Sequence, residues 1–295
     1  MKILKQCPSC SQKEFTTHLN CKDHTVSKIN FKLNKCKNCD LIFTNPRPKD
    51  QDLNKYYESE DYISHNSSKK GIFNYLYRFI RKITIKQKIK MLGSQKGLLL
   101  EIGSGTGDLL KACIEAGWDG IGIEPSAKAR KVALKTHQLE LHADIKGLQI
   151  QPKSVDYIMM WHVLEHVPHL KEMIKILKKY IKKDGKIIIA APNCASLDAK
   201  IYKEHWAAYD VPRHLSHFQK GSMEKLLGQF EMKVVKYKPM LFDSYYISML
   251  SEKNKNGKIK FIKSGLIGML SNLNAMIINK EYSSLIYMIK ENKAV

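Results

Sequence analysis

No run of 18 apolar residues occurs in this 295-residue chain, so no membrane-crossing helix is expected. The first residues, Met1-Lys-Ile-Leu-Lys-Gln-Cys7, reach a polar cysteine motif before any apolar core of leader-peptide length develops. A cytoplasmic protein is the expectation that follows. Internal repeats and low-complexity tracts are also absent, which argues against solenoid and linker architectures. Acidic residues are scarce, 28 Asp and Glu against 50 Lys and Arg, for a formal net charge of +22. Lysine dominates that excess in a chain also rich in Ile and Asn, as an AT-biased coding sequence would give. Charge of that origin decorates solvated faces. Two stretches are denser: 69–90 holds eight Lys or Arg and no acid, and 253–263 holds five Lys and no acid. Such patches attract nucleic acid, anionic lipid or phosphorylated substrates alike.

What is present is ordinary for a globular chain, with 43% hydrophobic and 26% charged residues. Residues 1–48 form a cysteine-bearing polar segment that ends at Asn45-Pro-Arg-Pro48, where two prolines interrupt regular structure. Residues 49–95 read as a helical linker or lid. Tyr56, Tyr57 and Tyr62 stud its first part, and Ile72, Tyr75, Leu76, Phe79, Ile80 and Ile83 recur at helical spacing after them. From 96 to 240 strands and helices alternate, which predicts an α/β core of Rossmann-like, doubly wound type around a mostly parallel sheet. Residues 241–295 are expected to be a helical extension.

The core opens with Leu98-Leu-Leu-Glu101-Ile-Gly103-Ser104-Gly105-Thr-Gly107. A strand entering a glycine-rich turn lets a ligand approach the backbone, because glycine tolerates positive φ and has no Cβ. Dinucleotide sites prefer Gly-x-Gly-x-x-Gly/Ala, and here the third small position is Asp108. Glu101 at the strand end would repel a pyrophosphate. The same carboxylate suits S-adenosylmethionine, which has no phosphate and carries an ammonium and a sulfonium. Glu124, 21 residues beyond Gly103 and ending the second strand, is placed to accept hydrogen bonds from two ribose hydroxyls. A tight turn in an unrelated α/β protein is the bland alternative.

Cys7-Pro-Ser-Cys10 and Cys36-Lys-Asn-Cys39 are two Cys-x-x-Cys knuckles. Four thiolates from two tight turns suit a closed tetrahedral zinc site of structural type, and in a reducing compartment disulfides would not persist. His18, Cys21 and His24 between the knuckles read as bystanders.

The residues from about 97 to 240 resemble the class I S-adenosylmethionine-dependent methyltransferases. The resemblance implies a seven-stranded sheet, Asp144 and Ile145 beside the adenine, and Trp161-His162-Val-Leu-Glu165-His166 facing the methyl donor. The cofactor set it implies, with the loop, is Glu101, Gly103, Ser104, Gly105, Gly107, Glu124, Pro125, Asp144, Ile145 and Trp161. Cysteine ribbon, Asn-Pro-Arg-Pro hinge, tyrosine-rich stretch and core together are similar to a bacterial subgroup that methylates sugars, including nucleotide-linked sugars and polysaccharide precursors. In that subgroup a stretch like Asp210-Val-Pro-Arg213-His214-Leu-Ser-His217-Phe helps shape the substrate pocket.

These readings give expected roles. His205, Tyr209, Asp210, Arg213 and His217 are substrate candidates, since aromatics stack on a sugar or base and arginine forks a carboxylate or phosphate. His162, His166 and His214 are candidates for the general base of methyl transfer to O or C. The pattern His162-x-x-Glu165-His166 also resembles a cation site of some small-molecule O-methyltransferases, though Glu165 can equally orient the next helix, and no catalytic metal is expected. An RNA methyltransferase is the runner-up, motivated by the charge and the ribbon. Met159-Met-Trp-His162 lacks the Pro-Pro-Tyr type of amine-methylating motif. A non-catalytic binding protein retaining the fold is the third reading. In the tail, lysines precede the apolar piece 265–278, a combination that suits peripheral contact with a membrane surface as well as it suits a core helix or dimer face.

Overall fold

The computed structural model of the chain describes residues 1–57 and 83–292. Tyr62 and the helical pattern from Ile72 to Ile80 lie outside the described residues, as does the first part of the basic stretch 69–90; residues 83–89 are helical. Two compact units interleave along the chain. One comprises Met1–Ile63, His162–Lys175 and Ile189–Val295, the other Ser64–Trp161 and Ile176–Ile188.

In the second unit the alternating pattern folds as expected. The elements are β4 (Leu98–Ile102), α1 (Asp108–Glu115), β5 (Asp119–Ile123), α2 (Ala127–His137) and β6 (Val155–Trp161). β4 pairs in parallel with both β5 and β6, Leu100 lying opposite Ile121 on one side and Ile158 on the other. Leu99 and Leu100 are wholly buried, as a central parallel strand covered on both faces requires. α2 begins where Ser126 Oγ accepts the amide of Ala129 at 3.3 Å.

The full mixed sheet has six strands among the described residues, in the order β5-β4-β6-β7-β10-β9, with β7 Ile181–Pro192, β9 Met232–Pro239 and β10 Ser284–Glu291. Seven were expected. The place of another strand beside β5 is held by a single parallel bridge between Ile123 and His142. Two residues later Asp144 Oδ1 accepts the amides of Lys146 and Gly147 at 2.7 and 3.2 Å and turns the chain away before a strand can extend.

In the first unit the cysteine segment supplies β1 (Phe15–Lys22), β2 (Asn30–Cys36) and β3 (Ile42–Thr44), all antiparallel. A fourth strand, β8 (Ser216–His217), comes from the histidine loop, with Ile42 opposite His217 and Phe43 opposite Ser216. Phe31, Leu33 and Ile42 share one buried cluster with Tyr202, Trp206, Tyr209, Ile247 and Ile267. The remaining helices are α3 (Leu170–Tyr180), α4 (Leu197–Tyr202), α5 (Lys220–Gly228), α6 (Asp243–Asn256) and α7 (Phe261–Asn274).

The tail holds the helices α6 and α7 and also a strand that the sequence reading did not include. After α6 and α7 it returns as β10, antiparallel to β9. Helix α7 continues as a π-helical turn, Ala275–Asn279. The resulting helix Phe261–Asn279, 19 residues with mean hydropathy 1.4, is long and apolar enough to cross a membrane by length and composition. The sequence pattern missed it because Gly, Ser and Asn interrupt the apolar residues without breaking the helix.

Candidate active site

The glycine turn adopts the backbone that only glycine enters freely. Gly103, Gly105 and Gly107 have φ of 78°, 53° and 80°. A Cβ on Gly105 would point into open space, so its glycine is required by conformation rather than crowding. Glu124 is fixed to the turn: its Oε2 accepts the Gly105 amide and its Oε1 the Ser126 amide, each at 2.8 Å. Ser104 Oγ donates to the Glu101 carbonyl at 3.1 Å. Pro125 contributes its carbonyl to Arg130 at 2.8 Å. Ile145 is buried and Asp144 caps its own turn.

Glu101 is 3% exposed, and its Oε2 has no hydrogen-bond partner. Burial raises its pKa to about 7, with the nearby Lys88 ammonium acting the other way. That same ammonium lies 4.1 Å from the centroid of the Trp161 ring. A buried carboxylate with a free oxygen and an aromatic face that accepts a cation are what an amino acid ammonium and a sulfonium need. The residues therefore fit S-adenosylmethionine.

In the other unit, His162, Glu165 and His166 follow β6 and meet His214 from the loop after β7. His162 has φ 53°, a strained conformation for a residue with a side chain. It is held between two carboxylates, Nδ1 3.4 Å from Glu165 and Nε2 3.4 Å from Asp243. Burial opposes its charge, but the two acids prevail and raise its pKa to about 10. Glu165 is 1% exposed; burial works against its ionisation, and His162, His214 and His166 together hold its pKa below the usual range. His166 is driven the opposite way, to about 4, by burial and by His214. Its Nδ1 is 2.9 Å from the Tyr57 hydroxyl and 3.1 Å from the Arg213 carbonyl. His214 Nδ1 is 2.8 Å from the Ala208 carbonyl, which sets that nitrogen as the donor and leaves Nε2 as an acceptor. The two rings meet edge to face at 4.5 Å. Glu165, His166 and His214 are also grouped closely enough to share a cation.

The expected substrate groups are placed unevenly. Arg213, 7% exposed, is already engaged: Nε donates to Asp210 Oδ2 at 2.9 Å, and Nη2 donates to Asp210 Oδ1 and to Thr25 Oγ1. Tyr209 is buried between Trp206 and His217. His217 lies 3.2 Å from Thr44 Oγ1, and burial keeps it neutral. His205 is partly exposed, 3.6 Å from Glu204. Glu165, Cys194, Trp206, His214 and His217 line one narrow crevice. Arginine and tyrosine thus meet the protein where a sugar contact was expected. Tyr57 and Asp243, by contrast, touch the histidines, and nothing in the sequence marked either for that role.

The sulfurs of Cys7, Cys10, Cys36 and Cys39 lie within 4.8 Å of one another, with Cys7–Cys39 and Cys10–Cys36 at 3.5 Å. A disulfide needs about 2.05 Å. Four sulfurs at about 2.3 Å from one zinc stand about 3.8 Å apart, close to the observed spacing. The set fits such an ion.

Against known proteins, the family model described as "Methyltransferase domain" matches residues 75–237, more than half of the chain. A ubiquinone biosynthesis O-methyltransferase of Idiomarina loihiensis is 26% identical over 53% of this chain and 70% of its own length. An uncharacterized methyltransferase of Alkaliphilus oremlandii is 37% identical over 32% of this chain, and the match spans 46% of that protein. Among solved structures, magnesium protoporphyrin IX methyltransferase of Synechocystis, with bound S-adenosylhomocysteine, aligns over 83% of this chain and all of its own, with a TM-score of 0.55 and 14% identity. That likeness is one of fold.

Proposed function

Since the chain belongs to the methyltransferase-domain family and is an S-adenosylmethionine-dependent methyltransferase, we propose that its acceptor is a small molecule, a nucleotide-linked or polysaccharide-precursor sugar. The likeness of the ribbon, hinge and core to the sugar-methylating subgroup supports that class. We assign Glu101 to the methionine ammonium and Glu124 to the ribose, with Gly103, Ser104, Gly105 and Gly107 lining the approach, Asp144 and Ile145 beside the adenine, and Trp161 facing the sulfonium. When bound, the cofactor supplies an activated methyl group for in-line displacement. The chain's own task is to orient the acceptor and take up its proton.

One observation carries the base assignment: His214 has its Nδ1 anchored to the Ala208 carbonyl, so Nε2 is the free acceptor. Asp210 Oδ2 lies 3.8 Å from that nitrogen. His166 and Tyr57 hold the neighbouring ring. His162 is a cation at neutral pH and thus a positioning residue rather than the base. Asp210, Arg213, Tyr209 and His217 fix the loop, and His205 is the substrate contact left most accessible. Zinc on Cys7, Cys10, Cys36 and Cys39 stabilises the small ribbon. On this reading the protein works in the cytoplasm.

Incubation with labelled S-adenosylmethionine and a panel of nucleotide sugars, followed by mass spectrometry, tests the acceptor. Label entering RNA instead of a sugar would contradict it. His214→Asn is expected to lower kcat by about a hundredfold while cofactor affinity is unchanged.

A further inference from the structure

The hairpin of α6 and α7 is built inside out. In a water-exposed helix pair the large apolar residues face inward and the polar ones outward. Here the buried positions of α7 are Ser264, Ile267, Gly268 and Ser271, and those of α6 are Ser244, Ile247, Ser248, Ser251 and Glu252. A Cβ on Gly268 would come within 3.0 Å of the Tyr245 backbone, so the helices approach as closely as glycine allows. Ser264 and Ser251 donate within their own helices, to the Phe261 and Ile247 carbonyls, and Ser271 donates to Asp198 of α4. Close packing through small residues is how helices associate when the surrounding solvent is hydrocarbon.

The large apolar residues point the other way. Ile262 is 85% exposed, Ile277 and Ile278 are 72% and 73% exposed, and Leu266, Leu270 and Met276 are each about half exposed. An apolar face of this extent is rare on a protein surrounded by water. Its rim at the α6–α7 turn is cationic: Lys253, Lys255, Lys258, Lys260 and Lys263 run from the last turn of α6 to the first of α7 with no acid between them, and buried Glu252 is already paired with Lys263. An anionic bilayer complements both apolar face and rim.

We propose that the α6–α7 hairpin is a monotopic membrane anchor, its apolar face seated in the acyl boundary of an anionic bilayer and its lysines at the headgroups. It lies in the surface and does not cross. The chain re-enters the sheet at Ser284, five residues after Asn279, and Ser271 and Ser283 both bond Asp198, tying the inner face to the body of the unit. This goes beyond the methyl-transfer reading and does not depend on it. It also gives Asp243, the first residue of α6 and 3.4 Å from His162, a place between the anchor and the histidine cluster.

The test is flotation of the full chain with phosphatidylcholine vesicles, with and without phosphatidylglycerol, at low and high salt. Binding to the anionic vesicles that persists in part at high salt is expected. Ile262→Glu with Ile277→Glu should weaken it roughly a hundredfold, with circular dichroism and S-adenosylmethionine affinity unchanged. Three results would overturn the proposal: no flotation, flotation abolished by salt yet indifferent to the double variant, or a dimer in sedimentation that the double variant dissociates with no vesicle binding.

Discussion

Glu101 and Glu165 are both buried carboxylates, one ending β4 and the other following β6, and their surroundings drive them apart. Both keep carboxylate oxygens without a hydrogen-bond partner, yet the Glu101 pKa climbs to about 7. Glu165 sits among three imidazoles that pull its pKa below the ordinary carboxylate range despite equal burial. Burial alone therefore does not decide the charge of an acid; the cation within reach does. At Glu101 burial outweighs the Lys88 ammonium, whereas at Glu165 the imidazoles, His162 first, outweigh burial.

The largest expected effect breaks the first half of that comparison. Glu101→Gln removes the charge meant for the ammonium, and S-adenosylmethionine affinity should fall about a hundredfold or more in calorimetry, with the melting profile unchanged. Unaltered affinity would show that the buried acid is structural. Next, Glu165→Gln breaks an internal ion pair, so stability itself should drop by about 3 kcal/mol in denaturant unfolding. The His162 resonance should then titrate well below about 10. The linkage has a defined sign: the raised imidazole pKa stabilises the fold below its unfolded value near 6.5 and ceases to do so as pH rises through about 10.

A smaller effect follows from pH. Below about 7 Glu101 is protonated before the ligand binds, so affinity should weaken by up to about tenfold per pH unit. Above 7 the curve should be flat. A profile flat across the range would remove Glu101 from the site. Smallest is Asp243→Asn, which leaves His162 with one carboxylate and should lower its pKa while changing kcat by less than about tenfold.

The glycine site was legible because its chemistry is local. Three glycines, Glu101 and Glu124 lie within 24 residues, and backbone conformation follows from residue type. The cysteine pairs were legible for the same reason. The histidine loop was read only in part, since its partners are distant in sequence: Arg213 meets Thr25, His166 meets Tyr57 and His162 meets Asp243. No spacing rule links such positions. The tail was read as helical, and its helices are there, but the length of the second was not legible, because Gly, Ser and Asn interrupt the apolar pattern of a 19-residue helix that is mostly exposed. The missing strand beside β5 is a local event after all, in which Asp144 captures two amides and ends the run.

The most direct test of the cofactor site is calorimetric titration of the purified chain with S-adenosylmethionine in two buffers of different ionisation heat at a pH just below 7. One-to-one binding with release of a fraction of a proton is the predicted result, because the ligand's ammonium makes Glu101 ionise. No binding by the folded chain, or binding with no proton released, would contradict it.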